Sequence, residues 1–169
     1  MITPEYCRMM ARYNAWQNRQ LTESLDAQPL EVLTEDRGAF FGSILGTLNH
    51  LLWGDRMWMA RFDPSVEAPK VGVKRSVEMH PTLGAWSAER YQVDGKIGHW
   101  ANALRAMDLT GDLRWYSGTL GRDMVTPRAL CVTHMFNHQT HHRGQVHAMM
   151  TAAGLEAPVS DLFLMPGEG

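Results

Sequence analysis

Five of the eight histidines in this chain fall within residues 133–148, THMFNHQTHHRGQVHA. His138 and His142 are four residues apart. On a helix their rings leave the same face, about 5–6 Å apart at Cβ. Two imidazoles so placed grip one divalent ion, each nitrogen about 2.0–2.1 Å from it. An HExxH helix would point to a zinc protease, but here Gln139 follows His138, so the carboxylate base of that mechanism is missing.

A third ligand has to come from another helix. His50 is the best candidate, because its segment is apolar around most of its circumference. Gly46 and Gly54 lie about one turn on either side of His50. Glycine weakens a helix by about 1 kcal/mol relative to alanine, so this pair suggests that something needs the room, either a ligand cluster or a close helix contact. His80, in a loop before Pro81, and His99, beside Trp100, read as surface or structural residues. His134 is one turn before His138 and suits a role in hydrogen-bonding another site residue, with a fourth ligand as the other option.

Three neutral imidazoles leave at least one coordination position open. A closed structural zinc site usually has four ligands, often with cysteine. Cys131 is seven residues before His138, roughly 10 Å along a helix axis, too far to share the ion. An open site lowers the pKa of a bound water or ionises a bound thiol. Hydrolysis and thiol transfer are both compatible with it. Gln145 lies near the ligand face and suits contact with a bound water or substrate. Arg143 faces about 100° away from His142 and suits a helix–helix salt bridge or, less directly, an anion clamp.

Four helical segments must position these residues. The first opens on Thr3-Pro4-Glu5, a cap, a first-position proline and an acidic first turn. Met10, Tyr13, Asn14, Gln17, Leu21 and Leu25 form its stripe. Asn14 and Gln17 interrupt that stripe as buried amides that need partners, or as the lining of a polar cavity. The second helix starts near Ser43 and runs to about Phe62. Residues 64–81 read as loop. The third carries Leu83, Trp86, Val93, Ile97, Trp100 and Leu104 in steps of three and four, a bundle seam interrupted only by Arg90. Residues 108–125, punctuated by Gly111, Gly118 and Gly121, read as extended structure or a short hairpin. The fourth helix begins at Thr126-Pro127 and ends at Gly154. Tyr13, Trp16, Trp53 and Trp58 read as core. The expected fold is all-α, an up-and-down four-helix bundle in a single domain over residues 1–169.

Composition bounds the function. The chain has 169 residues, 44% of them hydrophobic and 20% charged, which suits one folded domain. Its net charge is -2 and it shows no basic stripe, so no nucleic-acid partner is expected. MITPEYCRMM lacks a long apolar core and no apolar run is long enough to span a bilayer, so a cytoplasmic protein without membrane contact is expected. Cys7 and Cys131 form no CxxC pair and read as reduced, buried thiols.

These segments resemble the DinB/YfiT-like superfamily of metal-binding four-helix bundles, named from damage-inducible genes and unrelated to the DNA polymerase of the same name. YNAWQNRQL resembles the family's first helix, FFGSILGTLNHLLWGDRMW its second and HMFNHQTHHRGQVHAMMTAAG its last. The most specific element is NHxxxHRGQ. The resemblance implies His50, His138 and His142 as metal ligands, in agreement with the spacing. It implies a homodimer holding one divalent ion per chain, zinc or nickel before cobalt or iron. Relatives of known activity are thiol-dependent: transferases that use mycothiol or bacillithiol, and a maleylpyruvate isomerase. The leading expectation is therefore a metal-dependent transferase acting on a small-molecule substrate with a low-molecular-weight thiol. A non-catalytic stress-response metal-binding dimer module and a metal-assisted hydrolase are the alternatives. His134, Gln145 and Asn14 are the residues expected around the pocket.

Overall fold

A computed structural model describes residues 2–167. Helix α1 spans Pro4–Leu25. Thr3 is extended and its Oγ1 accepts from the Tyr6 N–H, satisfying one of the free amides of the first turn. A short α2, Leu30–Thr34, follows. Helix α3 spans Ile44–Phe62, capped by Ser43, whose Oγ accepts from Gly46 N–H at 3.0 Å. Helix α4 spans Leu83–Ala103 and is capped by Thr82. Helix α5 spans Arg128–Ala152. Gly154, at φ +72, closes it in the left-handed conformation that glycine adopts without penalty.

The four long helices pack in pairs, α1 against α4, α3 against α5, α3 against α4, and α1 against α5. Ile44, Leu48, Leu52, Met59, Trp86, Ile97, Met135 and Phe136 are fully buried between them. Each such side chain contributes about 1.5–3 kcal/mol from leaving water. No helix among the described residues is long and apolar enough to cross a membrane.

The chain is mostly helical, but not all-α. Strands β1 (Asp112–Ser117) and β2 (Arg122–Pro127) pair antiparallel, with Asp112 opposite Pro127 and Ser117 opposite Arg122. Leu113 and Ser117 of β1 point inward and are buried, with Trp115 between them half-buried; this period-two pattern fixes a ladder. The hairpin falls where the glycine-rich segment was expected to be extended. It also moves the start of the last helix. Thr126 pairs with Leu113 in the ladder, so it does not cap; Pro127 occupies the cap position without a side-chain bond, and Arg128 is the first helical residue. Residues 64–81 are not all loop, since Val73–Glu78 form a 3-10 helix packed on α3.

Arg90, the residue that breaks the α4 seam, turns inward. It is 2% exposed, with Nη1 2.6 Å from Asp55 Oδ2 and Nη2 2.8 Å from Asp94 Oδ1. A buried guanidinium is tolerable only with such carboxylate partners.

Candidate metal centre

Helix α3 presents His50, and α5 presents His138 and His142. The ring nitrogens these three offer all lie within 4.8 Å of one another. His50 Nε2 and His138 Nε2 are 3.3 Å apart. Two nitrogens bound to one tetrahedral zinc at about 2.0–2.1 Å would be roughly 3.4 Å apart. The ring centroids are 4.3 Å apart for His138 and His142, and 4.8 Å for His50 and His142.

Hydrogen bonds select which nitrogen two of the three rings, His50 and His142, aim inward. Ser76 is buried on the 3-10 helix, and its hydroxyl donates to Val73 O at 2.7 Å. Its only proton is thereby used, so it accepts from His50 Nδ1–H at 2.9 Å. His50 Nε2 is left with a free lone pair. His142 Nδ1 lies 2.7 Å from Gln145 Oε1, an acceptor, and so carries its proton there. Such outer partners fix the tautomer and raise the basicity of the inward nitrogen. Ser76 could not be found from the sequence, because its segment carries no helical periodicity and lies 26 residues from His50.

Gly54 explains one of the two glycines flanking His50. A Cβ there would stand 2.6 Å from His138 Cε1. Gly54 thus makes room for the His138 ring rather than for His50 itself. At Gly46 a Cβ would meet Phe41 O at 2.6 Å, so this glycine admits the loop before α3. That loop lays the Phe41 ring flat on His50, with centroids 3.7 Å apart.

Burial, and then the neighbouring imidazoles, depress the basicity of the cluster. His138 is pushed down to about 3 and His50 to about 4; His142 is lowered as well, burial outweighing its bond to Gln145. All three rings are neutral at pH 7, the state a metal ligand requires. Two inward lone pairs 3.3 Å apart repel unless a cation or a proton lies between them. The donor set and its spacing fit a divalent ion, and three ligands leave coordination positions open.

The surrounding residues divide into two groups. Gln145 is part of the cluster through His142. His134 is exposed, with its ring 5.8 Å from that of His138 and edge-on to Trp58 at 5.1 Å; among the described residues it makes no hydrogen bond to a ligand. A cavity of about 860 Å³ opens on His134 and His138, walled by Trp53, Trp58 and Trp115. Trp53 and Trp58 are therefore half-buried cavity walls, and Trp58 also packs against the buried core as expected. Asn14 belongs to a separate network. It donates to Asp94 Oδ1 at 3.0 Å and accepts from Arg143 Nη1. Arg143 forms no salt bridge among the described residues, and its guanidinium faces Asn14 and the Tyr13 ring. Gln17 donates to Val159 O at 2.8 Å. His80 bonds Glu89 at 2.5 Å and His99 is exposed, so neither joins the site. Cys7 and Cys131 are free and buried.

Comparison with known proteins agrees with this architecture. A sequence model of the DinB family matches residues 1–167. Protein DinB of Bacillus subtilis is 23% identical, over 95% of this chain and 93% of its own length. The crystal structure of a DinB-like protein from Bacillus cereus superposes with a TM-score of 0.64 at 17% identity, over 85% of this chain and 90% of that one, and so shares its fold. On the strength of the full-length match, the chain belongs to the DinB family.

Proposed function

We propose that this protein binds one divalent ion per chain, zinc or nickel, through His50, His138 and His142, and that it acts as a metal-dependent transferase using a low-molecular-weight thiol. The observation that carries the reading is the set of three neutral imidazoles whose nitrogens converge, two of them with tautomers pinned by Ser76 and Gln145. The four long helices are read as a four-helix bundle, because their packing closes a ring of α1, α4, α3 and α5. A homodimer is the assembly proposed.

An ion held by His50, His138 and His142 would supply Lewis acidity, lowering the pKa of a bound thiol or water. The protein's own share is positioning. Gly54 lets the His138 ring reach its place, and Phe41 covers His50 from one side. The tryptophan-walled cavity beside His138 supplies space for an acceptor. In the transfer, the thiol would give its proton to solvent water, its sulfur would form a bond to an electrophilic carbon of the acceptor, and the bond from that carbon to the leaving group would break, the leaving group taking the electron pair. The thiolate is the nucleophilic form.

Elemental analysis of the purified protein is expected to show about one divalent ion per chain. His138→Ala is expected to lose it. Transfer between a panel of thiols and electrophilic acceptors is expected to stop with chelator and to return with metal. Unchanged metal content in the variant would remove the ligand assignment. Metal binding without activity towards any thiol would favour the binding-module alternative.

A further inference from the structure

The chain carries a net charge of -2, yet the cavity beside His138 has the opposite character. Arg61, Lys70, Lys74 and Arg75 line it, and among the described residues no aspartate or glutamate does. Lys70, Lys74 and Arg75 are exposed at its rim, and Arg75 reaches Glu78 at 3.3 Å. Arg61 is different. Its guanidinium carbon lies 4.1 Å from the centroid of the Trp115 ring and 4.5 Å from that of Trp58. Half-buried on the wall, its N–H groups meet no acceptor among the described residues. The two buried arginines each have one: Arg90 has Asp55 and Asp94, and Arg143 has Asn14.

A guanidinium partly withdrawn from water with no acceptor is costly. The two indoles offset part of that cost through their ring faces. They also hold the planar fork in one place, and a held fork of donors matches the oxygens of a carboxylate or phosphate. We propose that Arg61 is the anion-binding residue of this cavity, and that its ligand is a small molecule bearing a carboxylate or phosphate on an apolar body. Trp53, Trp58 and Met57 give that body an apolar wall, and His138 lines the same space. The anion on Arg61 would orient the rest of the molecule toward the three imidazoles. This inference rests on the metal-site reading only for what happens at that far end; anion binding at Arg61 stands apart from it.

The test uses the full-length protein, both zinc-loaded and chelator-treated. Three probes are titrated by calorimetry and by tryptophan fluorescence: 3-phenylpropanoate, phenyl phosphate and the neutral 3-phenylpropanamide. At least one anion is expected to bind ten-fold or more tightly than the amide in both forms of the protein, and the tighter anion names the chemistry. Arg61→Gln is expected to bring that anion within about two-fold of the amide while zinc content stays unchanged. Arg61→Lys, which keeps the charge and loses the fork, is expected to fall between. A measurement that needs no variant is salt: raising sodium chloride should weaken the anions and spare the amide. Equal binding of anion and amide, or a preference that survives Arg61→Gln, overturns the proposal. A preference that requires zinc and ignores Arg61 also overturns it, while supporting the metal site. Absence of zinc binding would remove the metal-site reading and leave the Arg61 comparison in the chelated protein decisive on its own.

Discussion

Gln139 Nε2 donates to Asp55 Oδ1 at 3.0 Å, while Arg90 Nη1 bonds the other oxygen of the same carboxylate at 2.6 Å. All three side chains are buried. One carboxylate therefore ties α5 to α3 and α3 to α4, through a glutamine that follows His138 directly in sequence. Gln139 occupies the place where a metalloprotease helix carries its glutamate, and here it faces a carboxylate already present. Changing Gln139→Glu would complete an HExxH pattern and set two carboxyl groups against each other in a buried site. The expected result is a loss of about 2 kcal/mol or more in urea unfolding, from the lost bond to a charged group and the added repulsion, with no gain in peptide hydrolysis. Asp55→Ala should cost more, about 3–5 kcal/mol, because it strips Arg90 of one of its two buried partners.

Gly54→Ala separates helix stability from ligand placement. Alanine is the better helix former by about 1 kcal/mol. Its Cβ would nevertheless lie 2.6 Å from His138 Cε1, so the imidazole has to move. Zinc affinity is expected to fall at least ten-fold while the helical circular dichroism signal is kept. A variant that binds zinc as the parent does would show that the ring has another place to go.

Ser76→Ala tests whether the outer partner of His50 matters. The substitution removes the acceptor for His50 Nδ1–H without opening a large cavity. Outer-partner losses cost about 10–100-fold in metal affinity in comparable sites, and calorimetric zinc titration should show a drop in that range. Gln145→Leu should act likewise through His142. The double variant should then lose more than either single one, since the two partners hold different ligands.

The parts of the site legible in the sequence were those carried by helical spacing. His138 and His142 are one turn apart on one helix, and an apolar helix with two glycines singled out His50. The unread parts lie where no period speaks. Ser76 comes from a 3-10 helix between prolines, and Arg61 meets Trp115 only because the β1–β2 hairpin, packed against α5, brings that ring to Arg61 and Trp58. Asn14 stayed open between a satisfied buried amide and pocket lining, because an amide in an apolar stripe gives no sign of its partner, which is Asp94 on another helix. The start of α5 was misplaced for a related reason. Thr-Pro is a good helix opening, but β-ladder pairing of Thr126 with Leu113 takes that residue first.

Acid should unfold the metal-free protein in a window set by the buried imidazoles. Burial holds His138 down at about 3 and His50 at about 4, against an ordinary value of 6.5. Between these values the unfolded chain binds protons that the folded chain refuses, so stability rises with pH there. The contribution is fully present above about pH 6.5 and is lost as pH falls toward 4. By pH 5 each of the two groups is expected to have removed about 2 kcal/mol relative to neutral pH. Urea unfolding of chelator-treated protein at pH 7, 6 and 5 measures this loss. His50→Gln should flatten the slope, because it removes one of the groups whose protonation the folded chain opposes. A pH-independent midpoint across that range in the parent protein would mean that the rings are reached by water and charge freely in the folded state.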